Sequence, residues 1–372
     1  MYNRSHKIRM YPNKKQEEQL WKTVGTARFV YNWALEEWDK WYKAYKDGNA
    51  EDKPSGFKLC NKWTESRPDW SNEVAFCIQN RAIQNASTAF MNFRKRYSAH
   101  PAFKKRNGRR QTASFDNTHA VLYGNFVKLP RIGRVKLAEL PRYTGKVMSY
   151  TISEYAGEWY VSIHYQLEDD PRPFCIDKDS VAGIDVGLKN PAVVSDGQIL
   201  TLPKDRLNKL DKKIKRALKT LRRAQRDSGH YKKKLLRKQR LENKKNNIRQ
   251  DAIHKFTTAV AKNHGTVVVE TLDIKEMMDR AIYKSFRRAL NESVMRAMLF
   301  QLGYKVQNLI KAGMYYPSTK LCSKCGHKKD HIELSDRTYV CESCGAVIDR
   351  DLNAATNLMK LGMVSADVKH VE

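Results

Sequence analysis

Two apolar rhythms divide this sequence of 372 residues, one of helical spacing in the first hundred and one of strand spacing after it. Residues 5–11 alternate, with Ile8 and Met10 on one side, and read as a strand. Asn13 followed by Gln16 has the form of a capping box that opens a helix. Leu20, Val24, Val30, Leu35 and Trp38 then recur at near-helical spacing, and Trp41 and Tyr42 extend the stripe. Residues 47–56 mix Gly, Pro and charge and are expected to be a loop. A second helix is predicted over about 73–97, with Ala82, Ala86, Ala89, Phe90 and Phe93 facing a core.

After Pro101 comes a basic run, 104–110, and then short alternating stretches between turn residues. Segments 117–125, 126–129, 133–137, 147–154 and 159–167 read as strands of a small barrel or sheet. Asp169-Asp170-Pro171-Arg172-Pro173 reads as a linker. From Ser180 the pattern becomes α/β. Residues 181–188 and 192–200 are expected to form a strand pair with Asp196-Gly197 at the turn. A long helical region, 204–262, carries a narrow seam of Leu207, Leu210, Ile214, Leu218 and Leu221, which suggests a helical hairpin bent near Ser228-Gly229. Residues 265–270 read as a buried strand, with helices following to about Lys311 and a last short helix over 352–361. No internal repeat is present.

Composition narrows the partners. Lysine and arginine total 70 against 40 acidic residues, a net charge of +30, which points to a polyanion as a normal partner. Hydrophobic residues at 41 % are enough for packed cores, so the charge does not signal a disordered tail. No run of 18 apolar residues occurs and the start has no apolar signal core, so neither a membrane role nor secretion is expected. Nucleic acid is the favoured partner.

Of the seven cysteines, those at 60, 77 and 175 are scattered, while Cys322-Ser-Lys-Cys325 and Cys341-Glu-Ser-Cys344 form two tight pairs. Two such knuckles can place four thiolates tetrahedrally around one structural zinc ion, and their use as metal ligands fits a reducing cytoplasm. Gly326 and Gly345 follow the knuckles, where a tight turn favours a residue without a side chain. Paired accidental motifs or a redox dithiol are the plainer explanations.

Three carboxylates stand out by context. Asp185 lies in an otherwise apolar strand, where an ionised group is costly unless it faces a cleft or a cation. Gly187, two residues on, is expected to allow close approach by a substrate. Glu270 ends an apolar strand, and Asp351 lies at the entrance to the final helix. Singly, Asp185 could open a turn, Glu270 could be a salt-bridged strand end and Asp351 could be an N-cap. Together they match what phosphodiester hydrolysis with two magnesium ions needs, namely hard oxygen ligands brought from separate elements.

In chain order, Gly183-Ile-Asp-Val-Gly-Leu-Lys, Val267-Val-Val-Glu-Thr-Leu-Asp-Ile-Lys275, the two knuckles and Asp349-Arg-Asp-Leu-Asn-Ala-Ala-Thr-Asn357 resemble the TnpB family of insertion-sequence proteins, relatives of type V CRISPR effectors. Arg28-Phe-Val-Tyr-Asn32, Pro101-Ala-Phe-Lys-Lys105, Leu129-Pro-Arg-Ile-Gly133 and Glu158-Trp-Tyr-Val161 fit the same likeness, which runs from about residue 5 to 361. The resemblance implies an α+β multidomain protein: an RNase H-like (RuvC) nuclease domain with an inserted zinc ribbon, plus a wedge β-barrel with an inserted helical recognition domain. On that reading the wedge takes residues 1–12 and 116–178 and the helical domain 13–115. The nuclease takes 179–318, with a basic hairpin over 204–262, and resumes at 348–362. The ribbon takes 319–347, and 363–372 form a tail.

The resemblance further implies that Asp185, Glu270 and Asp351 hold catalytic Mg²⁺, with Asp351 chosen over Asp349 because it stands two positions before Asn353. It implies a guide RNA from the transposon end, a double-stranded DNA target beside a short motif, and a monomer in a bacterial or archaeal cytoplasm, associated with the nucleoid. Phosphate contacts are assigned to Lys104, Lys105, Arg106, Arg222 and Arg223, where a solvated helix face is the plainer explanation. Gln79 and Asn80 are placed near the DNA motif, though an ordinary helix surface would look the same. The rivals are a nuclease-inactive guided repressor, a DDE-type transposase and a zinc-ribbon protein that only binds RNA. No two histidines are spaced His-x-His, which separates the chain from single-strand transposases.

Overall fold

A computed structural model describes the chain apart from residues 50, 107–110, 189, 227, 272, 281, 285, 287–289, 291–293, 334, 335 and 370–372. It divides into two compact units, Met1–Pro171 and Arg172–Glu372, and the division falls inside the predicted linker.

In the first unit, strand β1 (Tyr2–Tyr11) buries His6, Ile8 and Met10 on one face, as its alternation predicts. Asn13 accepts from the Gln16 backbone and Gln16 reaches back to the Asn13 amide, so the predicted capping box opens helix α1 (Lys14–Lys46). Helix α2 (Gly56–Ser66), which the apolar pattern did not reveal, is capped by Ser55, and α3 spans Phe76–Arg94. The remaining strands are β2 (Gln111–Asp116), β3 (Val121–Tyr123), β4 (Phe126–Leu129), β5 (Gly133–Leu137), β6 (Lys146–Tyr155) and β7 (Glu158–Leu167).

These strands form one sheet in the order β2-β6-β7-β1-β5-β4-β3, antiparallel throughout. The first strand is therefore central, and the helices are an insertion between two strands of one sheet. Among the described residues the outer strands β2 and β3 are not paired to each other, so the expected barrel is open. Helices α1 and α3 pack on β2 instead, which shields that edge. The sheet also starts at Gln111, earlier than the expected boundary at 116. Nor do the helices form a core of their own: Leu20, Val24, Ile83 and Phe90 share one buried cluster with Ile8, Phe115, Val161 and Ile163. A single core serves both layers.

In the second unit, β8 (Val181–Asp185) is central. It pairs antiparallel with β9 (Val193–Val194) and parallel with β10 (Thr266–Glu270), which pairs parallel with β11 (Asn308–Ala312). The described sheet is thus mixed, with two parallel pairings and one antiparallel. Strand β8 stops at Asp185 and not at Leu188, and β9 is shorter than predicted because the Asp196-Gly197 turn (Gly197 φ +89°) folds Gln198 back onto Val194. Strand β11 corrects the expectation of helix up to Lys311, since its pairing with β10 overrides a short apolar run that is ambiguous by itself.

The predicted hairpin is present as α4 (Lys204–Arg222) and α5 (Gly229–Asn263), broken where Ser228 caps α5, with Lys245 and Asp211 paired across it at 2.6 Å. A short helix α6 (Ile274–Asp279) and then α7 (Met295–Lys305) follow β10. The ribbon hairpin is β12 (Thr338–Val340) and β13 (Val347–Asp349), and the chain ends in α8 (Arg350–Lys369), which takes in most of the predicted tail.

The sheet is covered on two faces. Ala182, Ile184, Val267 and Val269 pack against Ile253, Phe256 and Val260 of α5 and Met298 and Leu302 of α7. Val181 and Val268 face the other way, onto Leu358 and Leu361 of α8. Parallel strands buried on both sides explain the unbroken apolar runs.

Candidate metal centres

Strand periodicity sets the first centre. Val181, Gly183 and Asp185 alternate onto the face covered by α8, and Val268 and Glu270 do the same on β10. In the parallel register Val269 stands beside Ile184, so the next residue on each strand, Glu270 and Asp185, sits at the same carboxyl end of the sheet. A β-carbon on Gly362 would meet Val181, and one on Gly183 would meet Ala355, Leu358 and Met359. Helix and strand thus run in opposite directions in close contact. One turn before Ala355 the helix brings Asp351 to the strand end that carries Asp185.

Asp185 is 8 % exposed, which leaves its carboxylate little water to stabilise its charge. Burial first, then the charges of Glu270 and Asp351, push its pKa up to about 7, against a smaller opposing effect of Arg350. That mutual influence brings the three predicted carboxylates into one neighbourhood. Their oxygens do not draw as close together as the cysteine sulfurs described below, which among the described residues form the one set of three or more ligand groups gathered tightly enough to enclose an ion.

Each outer carboxylate has a partner. Ser318 donates its hydroxyl to Glu270 Oε1. Asn190 Nδ2 donates to Asp351 Oδ2 at 2.9 Å. Asp349, not Asp351, is the helix cap, because its Oδ1 accepts from the backbone N–H of both Asp351 and Leu352 at 3.0 Å. Asp351 is thereby left to face Asp185. The space a β-carbon on Gly187 would take lies 2.9 Å from the Asn190 carbonyl oxygen, so a residue without a side chain lets the backbone at Asn190 come close. Three hard oxygen donors, one of them desolvated beside two like charges, fit a divalent cation of the magnesium class.

The second centre is the set Cys322, Cys325, Cys341 and Cys344. Their sulfurs all lie within 4.8 Å of one another, with Cys322–Cys344 at 3.7 Å and Cys325–Cys341 at 3.5 Å. Gly326 (φ +78°) and Gly345 (φ +69°) take the left-handed conformation that closes each knuckle, and their amides donate to Cys322 and Cys341. The Cys344 amide also points at the Cys341 sulfur and lowers its pKa, favouring the thiolate a metal needs. Beneath the set lies a small core of Tyr339 and Ala346 with half-buried Ile332 and Ile348 against it, the scale at which a ribbon typically depends on its metal to fold. Four thiolates at this spacing fit zinc in a closed structural site.

The predicted nucleic-acid residues part company. Gln79 is wholly buried: it accepts from Trp63 Nε1 at 2.8 Å and donates to the carbonyls of Ser71 and Val74, so no part of it can meet DNA. Asn80 is half-buried, with its Oδ1 enclosed. Lys104, Lys105, Arg106, Arg222 and Arg223 are exposed. Lys104 is tied down, its ammonium 3.8 Å from the Tyr31 ring centre and its backbone paired both ways with the Asn32 side chain. Arg28 bonds Gln111, which in turn holds the carbonyls of Lys105 and Arg106. The motif at 28–32 and the basic run are thus one strap on α1; positions 107–110 of that run lie outside the described residues.

The sequence reading missed Asn190, Ser318, Asn353 and Asn357. The signal for the last two was present, because asparagines four apart among Ala354, Ala355 and Leu358 lie on the buried side of a helix, where an amide needs partners.

Three family models match in chain order. They are described as a helix-turn-helix domain (residues 1–47), a probable transposase of the OrfB/IS605 type (162–281) and a Cas12f1-like TNB domain (297–358). The first segment is in fact one strand and one long helix. Two of the relatives named "Putative RNA-guided DNA endonuclease" illustrate the likeness. The one from Streptomyces pristinaespiralis is 26 % identical, over 98 % of this chain and 90 % of its own length. The other, InsQ of Escherichia coli K12, is 27 % identical, over 96 % and 91 %. TnpB-like protein L79 of Acanthamoeba polyphaga mimivirus is 24 % identical over 96 % of this chain and 73 % of its own. Among solved structures, the Cas12f1 chain of a complex with guide RNA and target DNA superposes with a TM-score of 0.54 at 14 % identity, covering 96 % of this chain and 98 % of that one. The mini-endonuclease Cas-phi3 gives 0.50 at 9 %, over 98 % and 92 %. At such identities these two speak for the fold alone.

Proposed function

For a chain that is a relative of the TnpB-like proteins along nearly its whole length, we propose the activity of an RNA-guided DNA endonuclease with a RuvC-like, magnesium-dependent centre. The observation that carries the reading is Asp185: a desolvated carboxylate at the carboxyl end of a central strand, within the field of Glu270 and Asp351. Such a group burdens the fold unless a cation takes up its charge. Asp185 would hold the cation from the sheet, Glu270 from the neighbouring strand and Asp351 from the helix. Bound magnesium would supply an activated water and stabilise the leaving oxygen of a phosphodiester. The protein's part is to hold the three carboxylates: Asn190 and Ser318 hydrogen-bond the outer two, and burial keeps bulk water from Asp185.

Recognition is divided between the RNA, which selects target sequence by pairing, and the protein, whose exposed Lys105, Arg106, Arg222 and Arg223 contact phosphates without reading bases. Zinc holds the ribbon in this reading and takes no part in hydrolysis. In the domain reading, the first unit is the wedge with its helical insertion and the second is the nuclease. The protein acts in the cytoplasm of a transposon's host; among the described residues no helix is long and apolar enough to cross a membrane.

The test is cleavage of a plasmid bearing a matched target by purified protein, RNA transcribed from the flanking element and Mg²⁺. Double-strand cuts that need RNA and vanish in Asp185→Ala are expected. Cutting by Asp185→Ala at the wild-type rate would sink the reading. Strand transfer of element ends without RNA would instead favour the DDE-type transposase reading; the OrfB/IS605 description says only that its members are probable transposases.

A further inference from the structure

Residues 316–323 run between the two centres and touch both. At one end Ser318, 2 % exposed, donates its hydroxyl to Glu270. At the other, Ser323 lies inside the first knuckle, between Cys322 and Cys325, and its amide donates to Asn353 Oδ1 at 2.8 Å. Helix α8 grips the segment along its length. Asn353 Nδ2 donates to the Leu321 carbonyl at 2.7 Å. Asn357 Nδ2 donates to the carbonyls of Ser318 and Leu321 at 2.8 and 2.7 Å, and Lys360 reaches the Ser323 carbonyl. Tyr316 returns a bond to the Asn357 carbonyl at 3.1 Å.

The spacing 353, 357, 360 is one stripe of a helix, and the first turn of that helix carries Asp351. Asn353 and Asn357 are 0 % and 4 % exposed, so these amides are spent wholly on the segment. A loop that only covered the core would not need three side chains of one helix to hold its carbonyls, nor end on a carboxylate of the sheet.

We propose that Ser318 is a positioning residue for Glu270, and that segment 316–323, clamped by Asn353 and Asn357, is a brace that couples the cysteine knuckle to the carboxylate centre. The hydroxyl fixes Oε1 of Glu270 and leaves Oε2 to a cation. The clamp ties that oxygen's position to the helix that delivers Asp351, so two of the three ligands move as one piece. Partners of this kind typically change metal affinity 10–100-fold on removal. The proposal rests on the carboxylates being cation ligands.

The test uses the full-length, zinc-loaded protein without nucleic acid, and Mn²⁺ as probe, read from the loss of the free-ion paramagnetic resonance signal. Ser318→Ala is expected to weaken Mn²⁺ binding roughly tenfold or more, with zinc content and melting temperature near wild type, and Ser318→Thr to restore most of it. Asn357→Ala carries the same expectation through the clamp and stands in should Ser318→Ala not fold. Asp185→Ala is the control. If it loses Mn²⁺ while Ser318→Ala and Asn357→Ala bind like wild type, the brace is overturned and the carboxylate centre stands. If Asp185→Ala itself binds Mn²⁺ like wild type, the carboxylate centre falls, and the brace falls with it.

Discussion

A β-carbon placed on Gly183 would stand 1.9 Å from the carbonyl oxygen of Ala355, so helix α8 rests on strand β8 with no room for any side chain between them. Two of the nearest atoms, Ala355 O and Met359 N, are backbone and cannot rotate away. Gly183→Ala must therefore lift the helix and draw Asp351 from Asp185. We expect a loss of stability of about 3 kcal/mol or more, with cleavage lost even in protein that remains folded. Urea unfolding and the plasmid assay would read the two effects; a variant that cuts normally would show that the helix need not lie flush.

The two aspartates at the start of α8 have separate tasks. Asp349→Ala removes a cap and should cost about 1 kcal/mol in thermal or urea unfolding while retaining substantial cleavage. Asp351→Ala should do the reverse, abolishing cleavage with little loss of stability. Equal activity loss in both would place the metal ligand elsewhere in the motif.

Asp185 makes the cation-free fold sensitive to pH. Its carboxyl has an ordinary pKa of 3.8 and one near 7 in the fold, so between those values the folded state keeps a proton that the unfolded state has released. Stability without divalent cations is then greatest at the acid end of this window and falls as pH rises through 7, by an amount on the order of a few kcal/mol. Melting temperatures from pH 5 to 8 in a chelating buffer should decline for the wild type and stay flatter for Asp185→Asn. Parallel curves would mean that the carboxylate is not desolvated as described.

Gln79 and the basic strap should fail in different ways. Gln79→Ala strands the Trp63 indole N–H and two carbonyls and should cost about 2–4 kcal/mol in urea unfolding, without altering the preferred DNA motif of the folded protein. Lys105→Ala combined with Arg106→Ala should leave stability unchanged and reduce the slope of log affinity against log salt for nucleic acid by about one per lost phosphate contact. An unchanged slope would remove the strap from the interface.

The ribbon should bind one zinc per chain, counted by elemental analysis. Cys341→Ser is expected to lose it and to unfold the ribbon without melting the first unit, whose core has no part in that cluster. Retention of full zinc in Cys341→Ser would show a different ligand set.

What the sequence determined by itself is whatever rests on local spacing. Alternation yielded β1 and β4 to β7, the capping box at Asn13 opened α1, and paired cysteines with following glycines announced a four-sulfur site. Each of these is complete within a few residues, so the chain states it directly. Context singled out the three carboxylates, and resemblance added their joint role and the choice of Asp351 over Asp349.

Only the tertiary structure decided the rest, because it turned on contacts between residues far apart in the chain. Gln79 looked like surface in the helix pattern, yet Trp63 and the Ser71 turn enclose it. Asp349 and Asp351 are alike in composition, and the direction of the first amides of α8 assigns one to the cap and leaves the other facing Asp185. Strand β11 became a strand only when β10 offered it an edge, and the helices of the first unit joined the sheet because neither layer buries its apolar face alone. Periodicity reports which side of an element is apolar. What lies against that side is settled by packing, and Ser318 and Asn357 acquire their partners there.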